Sequence, residues 1–373
     1  MSLPALDEFT HRLMNNIYKE AGLTPFDIEG LLKSHKEEIF QVFEQNVSRP
    51  WFAHRFFEAF TPIDQLRFFP AKQYSLSEKM WALLIQYAKE FDSTRRNDES
   101  FRVQKGTAYY FAAVSNLLMG NIDKAFMLMH AAYEEDLQTY GKRPIEESPA
   151  YAFVSLDADN QNQYLHHYVE IVSDYLSSRI RASNKLLGRT YDIRNFRAEF
   201  IENNSIDAQS RLWFLYTIAK LENISGFRKI THGSRFTSLF LNGVLFELCK
   251  TCEFLAKKSQ QKDGFRENLR YYFASKSLSQ GVFDDTIVLP NETGQLINRL
   301  KDDFVQEPSR VISDIVDRNQ CQALGNKERG LIVTFLLRNS QAHTFDTLEL
   351  SESQYEQLTD LIFSSTILLV SDP

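Results

Sequence analysis

Two side chains that directly follow a strongly apolar segment are suited to chemistry on a phosphate. Arg338 is followed by Asn339, and His343 lies five positions after the arginine. A guanidinium is always charged and can grip a phosphate through two parallel hydrogen bonds. An imidazole titrates near neutral pH and can move a proton. Together these groups suit cleavage of RNA by its own 2′-hydroxyl, a reaction that needs proton transfer and charge stabilisation but no metal.

Helix geometry restricts how this pair can meet at one substrate. Five helical steps turn through about 500°, so the two side chains would point about 140° apart on a straight helix. Either the helix unwinds near Ala342, or a second copy of the domain supplies the other pair across a two-fold axis. The spacing alone is weak evidence, because Arg49 and His54 share it and we assign them no catalytic role. Without further context, Arg338 and His343 would be helix-end residues that satisfy the last carbonyls.

Helical spacing of apolar residues recurs nearly everywhere and alternating strand patterns are hard to find, so we predict an all-α protein. The chain has 373 residues, of which 43% are hydrophobic, and its 14 Gly and 10 Pro supply few helix breakers. The net charge of −7 argues against a general coat for nucleic acid but permits a local basic groove. Three Cys cannot build a disulfide framework, so we expect a reducing, cytoplasmic setting. The longest apolar runs fall far below the roughly 20 residues of a membrane span, and the first residues do not resemble a signal peptide.

Two domains are predicted, a helical domain over 1–204 and a second over 205–373. The break is placed at Glu202-Asn203-Asn204-Ser205, which is polar and free of apolar periodicity. A dense basic stretch precedes it, consisting of Arg179, Arg181, Lys185, Arg189, Arg194 and Arg197.

A helical hairpin is predicted at about 106–139 in the first domain. Small and aromatic residues there fall at the spacing that lets two antiparallel helices pack closely, with a turn at Gly120-Asn121. The segment resembles a tetratricopeptide repeat in its Tyr109, Ala113, Gly120, Ala125 and Ala132. Only one copy is recognisable, so the alternative is a hairpin within an irregular α domain. The resemblance implies a groove for a regulatory protein partner at the N-terminal helices.

Four main helices are predicted in the second domain. Apolar spacing places them at about 206–224, at about 235–258, around Leu331–Leu337, and from Ser351 or Ser353 onward, where two capping boxes overlap. The segment of about 260–325 is polar and interrupted, and we interpret it as an insertion with short helices. Four helices with broad apolar faces favour a bundle.

The stretch from Phe335 to His343 (FLLRNSQAH) resembles the R-N-x-x-x-H signature of HEPN domains. The resemblance covers about 205–373 without the insertion. It implies a four-helix bundle that forms a homodimer, with both Arg-His pairs lining one cleft. It also implies a metal-independent endoribonuclease, often part of toxin or phage-defence systems, in which Arg338 holds the scissile phosphate, His343 is the acid and base, and Asn339 orients the loop or the substrate. Some family members are catalytically inactive and only bind RNA, a nucleotide or a protein partner.

Further candidates are weaker. Glu247 is either a carboxylate near the cleft or a surface residue, and Lys257 and Lys258 either steer RNA or form a solvated helix end. Cys249 and Cys252 form a C-x-x-C pair, but a second ligand pair at zinc-site spacing is missing, and Cys252 lies on an apolar helix face. We therefore interpret the cysteines as core residues and expect neither a metal nor a cofactor.

Overall fold

The computed structural model describes the chain as helices joined by turns and loops. The described residues are 27–46, 56–94, 102–140, 155–156, 163–203, 205–231, 235–276, 303–317, 324–341 and 348–372, with the isolated positions 8, 11, 12, 15, 278 and 300. Within these ranges there are helices and no strand, which confirms the predicted all-α class. In the same part of the chain, no helix is long and apolar enough to cross a membrane.

The chain divides into two compact units. Unit 1 comprises 1–153 and 157–167, and unit 2 comprises 154–156 and 168–373. The labelled helices of unit 1 are α1 (Ile28–Ser34), α2 (Lys36–Asn46), α3 (Tyr74–Thr94), α4 (Gly106–Leu118) and α5 (Ile122–Tyr140). Helix α6 (Gln163–Leu187) begins in unit 1 and continues in unit 2.

The predicted helical hairpin is formed by α4 and α5. The two helices pack against each other, and α3 packs on α4. Gly120 adopts φ +79 in the turn between α4 and α5, a conformation that glycine reaches without steric cost. The small side chains of Ala113, Ala125 and Ala132 are buried, as close helix packing requires.

Unit 1 has a core rich in phenylalanine. The ring of Phe43 lies 5.0 Å from that of Phe56 and 5.4 Å from that of Phe91 in edge-to-face geometry. The indole of Trp81 stacks on Phe111 with 5.3 Å between ring centroids. Such aromatic pairs contribute about 0.5–1.5 kcal/mol each beyond the area they bury.

A carboxyl group lies inside this aromatic core. Asp64 begins a π-helical turn, Asp64–Phe68, and is fully buried. The indole N–H of Trp81 donates to its Oδ2. Burial raises the pKa of Asp64 from 3.8 to about 7, although hydrogen bonds from Ser77 and Trp81 oppose this shift.

Asp64 should therefore make the stability of unit 1 depend on pH. The folded protein binds this proton more tightly than the unfolded chain, so its stabilising effect is complete below about pH 4 and is lost as the pH rises through about 7. We expect a loss of up to about 4 kcal/mol in unfolding free energy across that interval. Urea denaturation at a series of pH values should show this loss in the wild type and a flatter profile in Asp64→Asn. Glu44→Gln, at an exposed position of α2, should keep the wild-type profile; a loss of equal size in Asp64→Asn would contradict the assignment.

Unit 2 contains six further labelled helices. They are α7 (Ala208–Thr231), α8 (Arg235–Gln260), α9 (Phe265–Ser275), α10 (Pro308–Val316), α11 (Asn326–Gln341) and α12 (Glu352–Ser371). Helices α7, α8, α11 and α12 correspond to the four main helices predicted from apolar spacing. Ser351 caps α12 in a capping box with Gln354, the first of the two candidates.

Helix α11 runs through the centre of unit 2. All seven residues from Leu331 to Leu337 are buried, and the helix packs against α8 and α12. At Gly330 a Cβ atom would lie 2.8 Å from both the carbonyl oxygen of Leu361 and the hydroxyl of Ser365, so glycine permits the close approach of α11 and α12.

Gly330→Ala should therefore destabilise the protein by about 1–3 kcal/mol, because the added methyl group meets the backbone of α12. Gly243→Ala in α8 is a matched control, since nothing lies within 4 Å of the Cβ it would add. This control should gain about 0.5–1 kcal/mol through the better helix propensity of alanine. Urea denaturation of both variants measures the difference; an equal gain in both would mean that α11 and α12 are farther apart.

The compact units differ from the predicted domains at their boundary. The predicted break at 204–205 lies inside unit 2. The reason is a cluster of aromatic rings. The ring centroid of Phe214 in α7 lies 5.3 Å from that of Phe196 and 4.9 Å from that of Phe200. Phe214 in turn lies 6.1 Å from Phe363 of α12, so the residues before the predicted break belong to the same core as those after it.

The basic stretch before the predicted break pairs with acids of unit 2. The guanidinium of Arg179 in α6 binds Glu356 at 2.7 Å and Asp360 at 2.8 Å, both on α12. Arg189 binds Asp372 at 3.2 Å. These cations therefore hold α6 and the residues after it to α12.

The described part of the predicted insertion contributes to the core of unit 2. Helix α9 packs on α8 and α11, and α10 packs on α11 and α12. The ring of Phe265 lies 6.0 Å from that of Phe335 in α11, while Ile312 and Ile315 of α10 are fully buried. These two helices are short, as predicted, but they cover the central helix.

Candidate functional site

The candidate site is built around Arg338, in the last turn of α11. The seven buried residues before it fix the position of its backbone, and its own side chain emerges half-buried at the surface. Its Nε donates to Oε2 of Glu253 at 2.7 Å, and its Nη2 donates to Oε1 at 2.8 Å. The guanidinium is therefore held in a bidentate fork by a carboxylate of α8.

This fork occupies one edge of the guanidinium. A guanidinium carries five N–H groups, and the fork uses the one on Nε and one of the two on Nη2. Nη1 contacts Oδ1 of Asn339 at 3.4 Å, a long hydrogen bond. The edge formed by Nη1 and Nη2 retains donors whose geometry matches two phosphate oxygens, and the side chain of Arg338 is 32% exposed. Asn339, the third residue proposed for catalysis, is half-buried beside this edge.

Helix α8 supplies Glu253 from the border between its core face and its exposed face. Leu248, Cys252 and Leu255 lie in the core, whereas Lys250 and Lys257 are exposed. Glu253 is 25% exposed, and a helix places Lys250 and Lys257 one turn away from it on either side. Two cations of α8 therefore flank the pair between Arg338 and Glu253.

His343 lies outside the described residues, as do Arg49 and His54. The catalytic assignment of His343 stays a prediction from the sequence.

Glu247 lies on a different side of α8. It is half-buried and pairs with Lys220 of α7 at 3.3 Å. Six helical steps separate it from Glu253, which turns the two carboxylates about 120° apart. The structure thus brings Glu253, not Glu247, to Arg338.

The two lysines proposed to contact substrate have separate surroundings. Lys257 is exposed one turn after Glu253. The ammonium group of Lys258 donates to the hydroxyl of Ser205 at 2.7 Å, and burial lowers its pKa. Of the two, Lys257 is therefore the one beside Arg338 and Glu253.

Cys249 and Cys252 are fully buried, which confirms their interpretation as core residues. Burial raises the pKa of the Cys252 thiol to about 12 and that of the Cys249 thiol well above its usual value. Among the residues that the structure describes, no group of three or more His, Cys, Asp or Glu side chains is arranged to hold a metal ion.

The chain was compared with protein-family models, with curated proteins and with solved structures. No family model, curated protein or solved structure matches this chain.

Glu253 is the residue that sequence reasoning missed. The alternation of exposed and apolar residues along α8 shows that its side chain lies near the helix surface. It does not show which turn of α8 faces the end of α11, because that register depends on how the two helices cross.

The fork between Arg338 and Glu253 can be measured by a double-mutant cycle with Arg338→Gln and Glu253→Gln. We expect a coupling of about 1 kcal/mol in unfolding free energy, since the pair is bidentate but half-exposed. In about 1 M salt, where the screening length is about 3 Å, the coupling should be smaller. The exposed pair of Arg270 and Glu267 is the control and should couple more weakly. If the two pairs couple equally, the fork does not persist in solution.

Proposed function

We propose that this protein is a metal-independent endoribonuclease of HEPN type. The observation that carries the proposal is the fork itself. The last turn of a helix with a buried centre carries an arginine whose guanidinium is fixed in orientation by Glu253. Its outer edge is available to a phosphate, and exposed cations lie one turn from Glu253. Because the cation is oriented before substrate arrives, little reorganisation is needed when charge develops on the phosphate.

The proposed reaction is attack of a 2′-hydroxyl on the adjacent phosphorus atom. The O–P bond to the 5′ oxygen of the next nucleotide breaks, and a 2′,3′-cyclic phosphate remains. His343 accepts the proton from the 2′-hydroxyl and gives a proton to the leaving 5′ oxygen, so protons balance over the step. Arg338 stabilises the charge that develops on the phosphate oxygens, and Asn339 orients the substrate or the loop that follows.

A homodimer is part of this proposal. On one helix, side chains five positions apart diverge by about 140°, so two copies joined through the C-terminal bundle can provide an arginine and a histidine to one phosphate. Under this proposal, unit 1 controls access through a regulatory protein partner, and the toxin or phage-defence role implied by the family resemblance applies.

A second candidate function is a non-enzymatic interaction protein. The observation in its favour is the same fork, because a bidentate ion pair between two helices also serves simply to hold α11 against α8. In that case Arg338 is structural, and the bundle binds RNA, a nucleotide or a protein without cleaving anything.

Purified protein should cleave single-stranded RNA in buffer that contains EDTA. Arg338→Ala and His343→Ala should each lower the cleavage rate by about 100-fold or more, because each removes a group that acts in the transition state. Arg338→Lys should also fail, since lysine keeps the charge but loses the two-pronged geometry. Cleavage is measured on gels with end-labelled RNA, and circular dichroism checks the fold of each variant.

Arg270→Ala and His167→Ala are the matched controls. Both side chains are exposed, and both variants should cleave at the wild-type rate. If the wild type and all variants leave a broad panel of RNAs uncut, the result contradicts the nuclease and supports the non-enzymatic interaction protein.

A further inference from the structure

A surface pocket lies between the start of α7 and helix α8, on the part of α8 that also carries Glu253. It has a volume of about 420 Å³, and its lining includes Asp207, Ser210, Trp213, Lys250 and Phe254. Phe254 directly follows Glu253 in the chain, so the pocket and the ion pair share one turn of α8.

An exposed aromatic ring forms one wall of this pocket. Trp213 is 40% exposed, and its indole packs against Tyr216 with 5.7 Å between ring centroids. The indole N–H donates to the backbone carbonyl of Glu247 at 3.4 Å, a long hydrogen bond. Because Trp213 lines the pocket and is partly exposed, its ring is an aromatic surface on which a planar group can stack.

Two polar residues of the pocket, Asp207 and Ser210, lie at the start of α7. The carboxylate of Asp207 accepts from the backbone N–H and the hydroxyl of Ser210, both at 2.8 Å. Its negative charge therefore lies at the positive end of the helix dipole. Hydroxyl and carboxylate oxygens at this rim suit the N–H groups on the edge of a base.

Two exposed lysines, Lys250 and Lys257, lie on the surface of α8 between the directions of Phe254 and Glu253. Around the axis of α8, Phe254 lies about 40° to one side of Lys250, while Lys257 and Glu253 lie about 20° and 60° to the other. The ammonium group of Lys250 also sits 5.0 Å from the centroid of the Phe246 ring. A strand that runs over this surface of α8 from Phe254 toward Glu253 passes between the two cations.

We propose that this surface binds single-stranded nucleic acid, with one base stacked on Trp213 in the pocket and the neighbouring phosphates on Lys250 and Lys257. The phosphate that reaches Arg338 is the scissile one, so this part rests on the proposed function. Alternating aromatic and cationic side chains are the pattern by which proteins hold single strands without reading sequence. In a double helix the bases are stacked and paired, so no single base is free to stack on Trp213 in the pocket.

Fluorescence anisotropy with a labelled single-stranded DNA of about 12 nucleotides tests this surface. DNA lacks the 2′-hydroxyl and is not cleaved by the proposed reaction, so binding is measured apart from catalysis. Trp213→Ala should weaken binding about tenfold or more, whereas Trp213→Phe should retain most of the affinity. Lys250→Ala should weaken binding and reduce its dependence on salt.

Phe240→Ala is the matched aromatic control. Phe240 is 53% exposed on the same helix, ten positions and about 15 Å from Lys250. Lys124→Ala, at an exposed position of unit 1, is the control for charge. Both should bind like the wild type.

The outcomes separate this inference from the proposed function. If Trp213→Ala weakens binding but the wild type cleaves no RNA, the binding surface is supported and the proposed nuclease activity is contradicted. If RNA is cleaved but Trp213→Ala and Lys250→Ala bind the single strand like the wild type, the proposed binding surface is wrong and the proposed nuclease activity is supported. Equal competition by duplex DNA, or binding of a protein partner at Trp213 with no binding of the single strand, would also overturn the inference.

Discussion

The proposed functional surface depends on one ion pair, the fork between Arg338 and Glu253. A guanidinium at a helix end ordinarily moves among several rotamers and loses conformational entropy when it binds. The carboxylate of Glu253 fixes one edge of it at 2.7 and 2.8 Å. The orientation of the remaining edge, formed by Nη1 and Nη2, is thereby fixed. The pair also joins the end of α11 to α8, so the same contact contributes to the packing of the bundle and to the placement of the cation.

The position of this fork follows from the core of unit 2. Because the seven residues before Arg338 are buried, α11 cannot rotate without exposing apolar surface, and each buried aliphatic side chain contributes about 1.5–3 kcal/mol. Gly330 lets α12 approach α11 closely near the other end of the helix. Thr334 bonds back to the carbonyl of Gly330 at 2.8 Å and so satisfies its own hydroxyl inside the core. The packing of the central helix α11 thus fixes the position of the Arg338 backbone at the protein surface.

The sequence predicts the elements of this fold better than their arrangement. The apolar spacing of α7, α8, α11 and α12 and the capping box at Ser351 are local signals, and the structure contains these helices at the predicted places. The boundary at 204–205 was inferred from local polarity, but Phe196 and Phe214 join the two sides through a contact that polarity does not reveal. Arg338 could be singled out from its motif. Glu253 could not, because its contact with Arg338, 85 residues away in sequence, depends on how two helices cross.

Arg338 and His343 are proposed to promote attack by the 2′-hydroxyl of RNA. The most direct measurement uses two RNAs of one sequence, the second carrying a single 2′-O-methyl group at the cleavage position mapped in the first, both incubated with the protein in EDTA. Mass spectrometry of the products should show a 2′,3′-cyclic phosphate from the unmodified RNA and no cleavage at the methylated position. Products that end in a 3′-hydroxyl, or cleavage at the methylated position, would contradict the account.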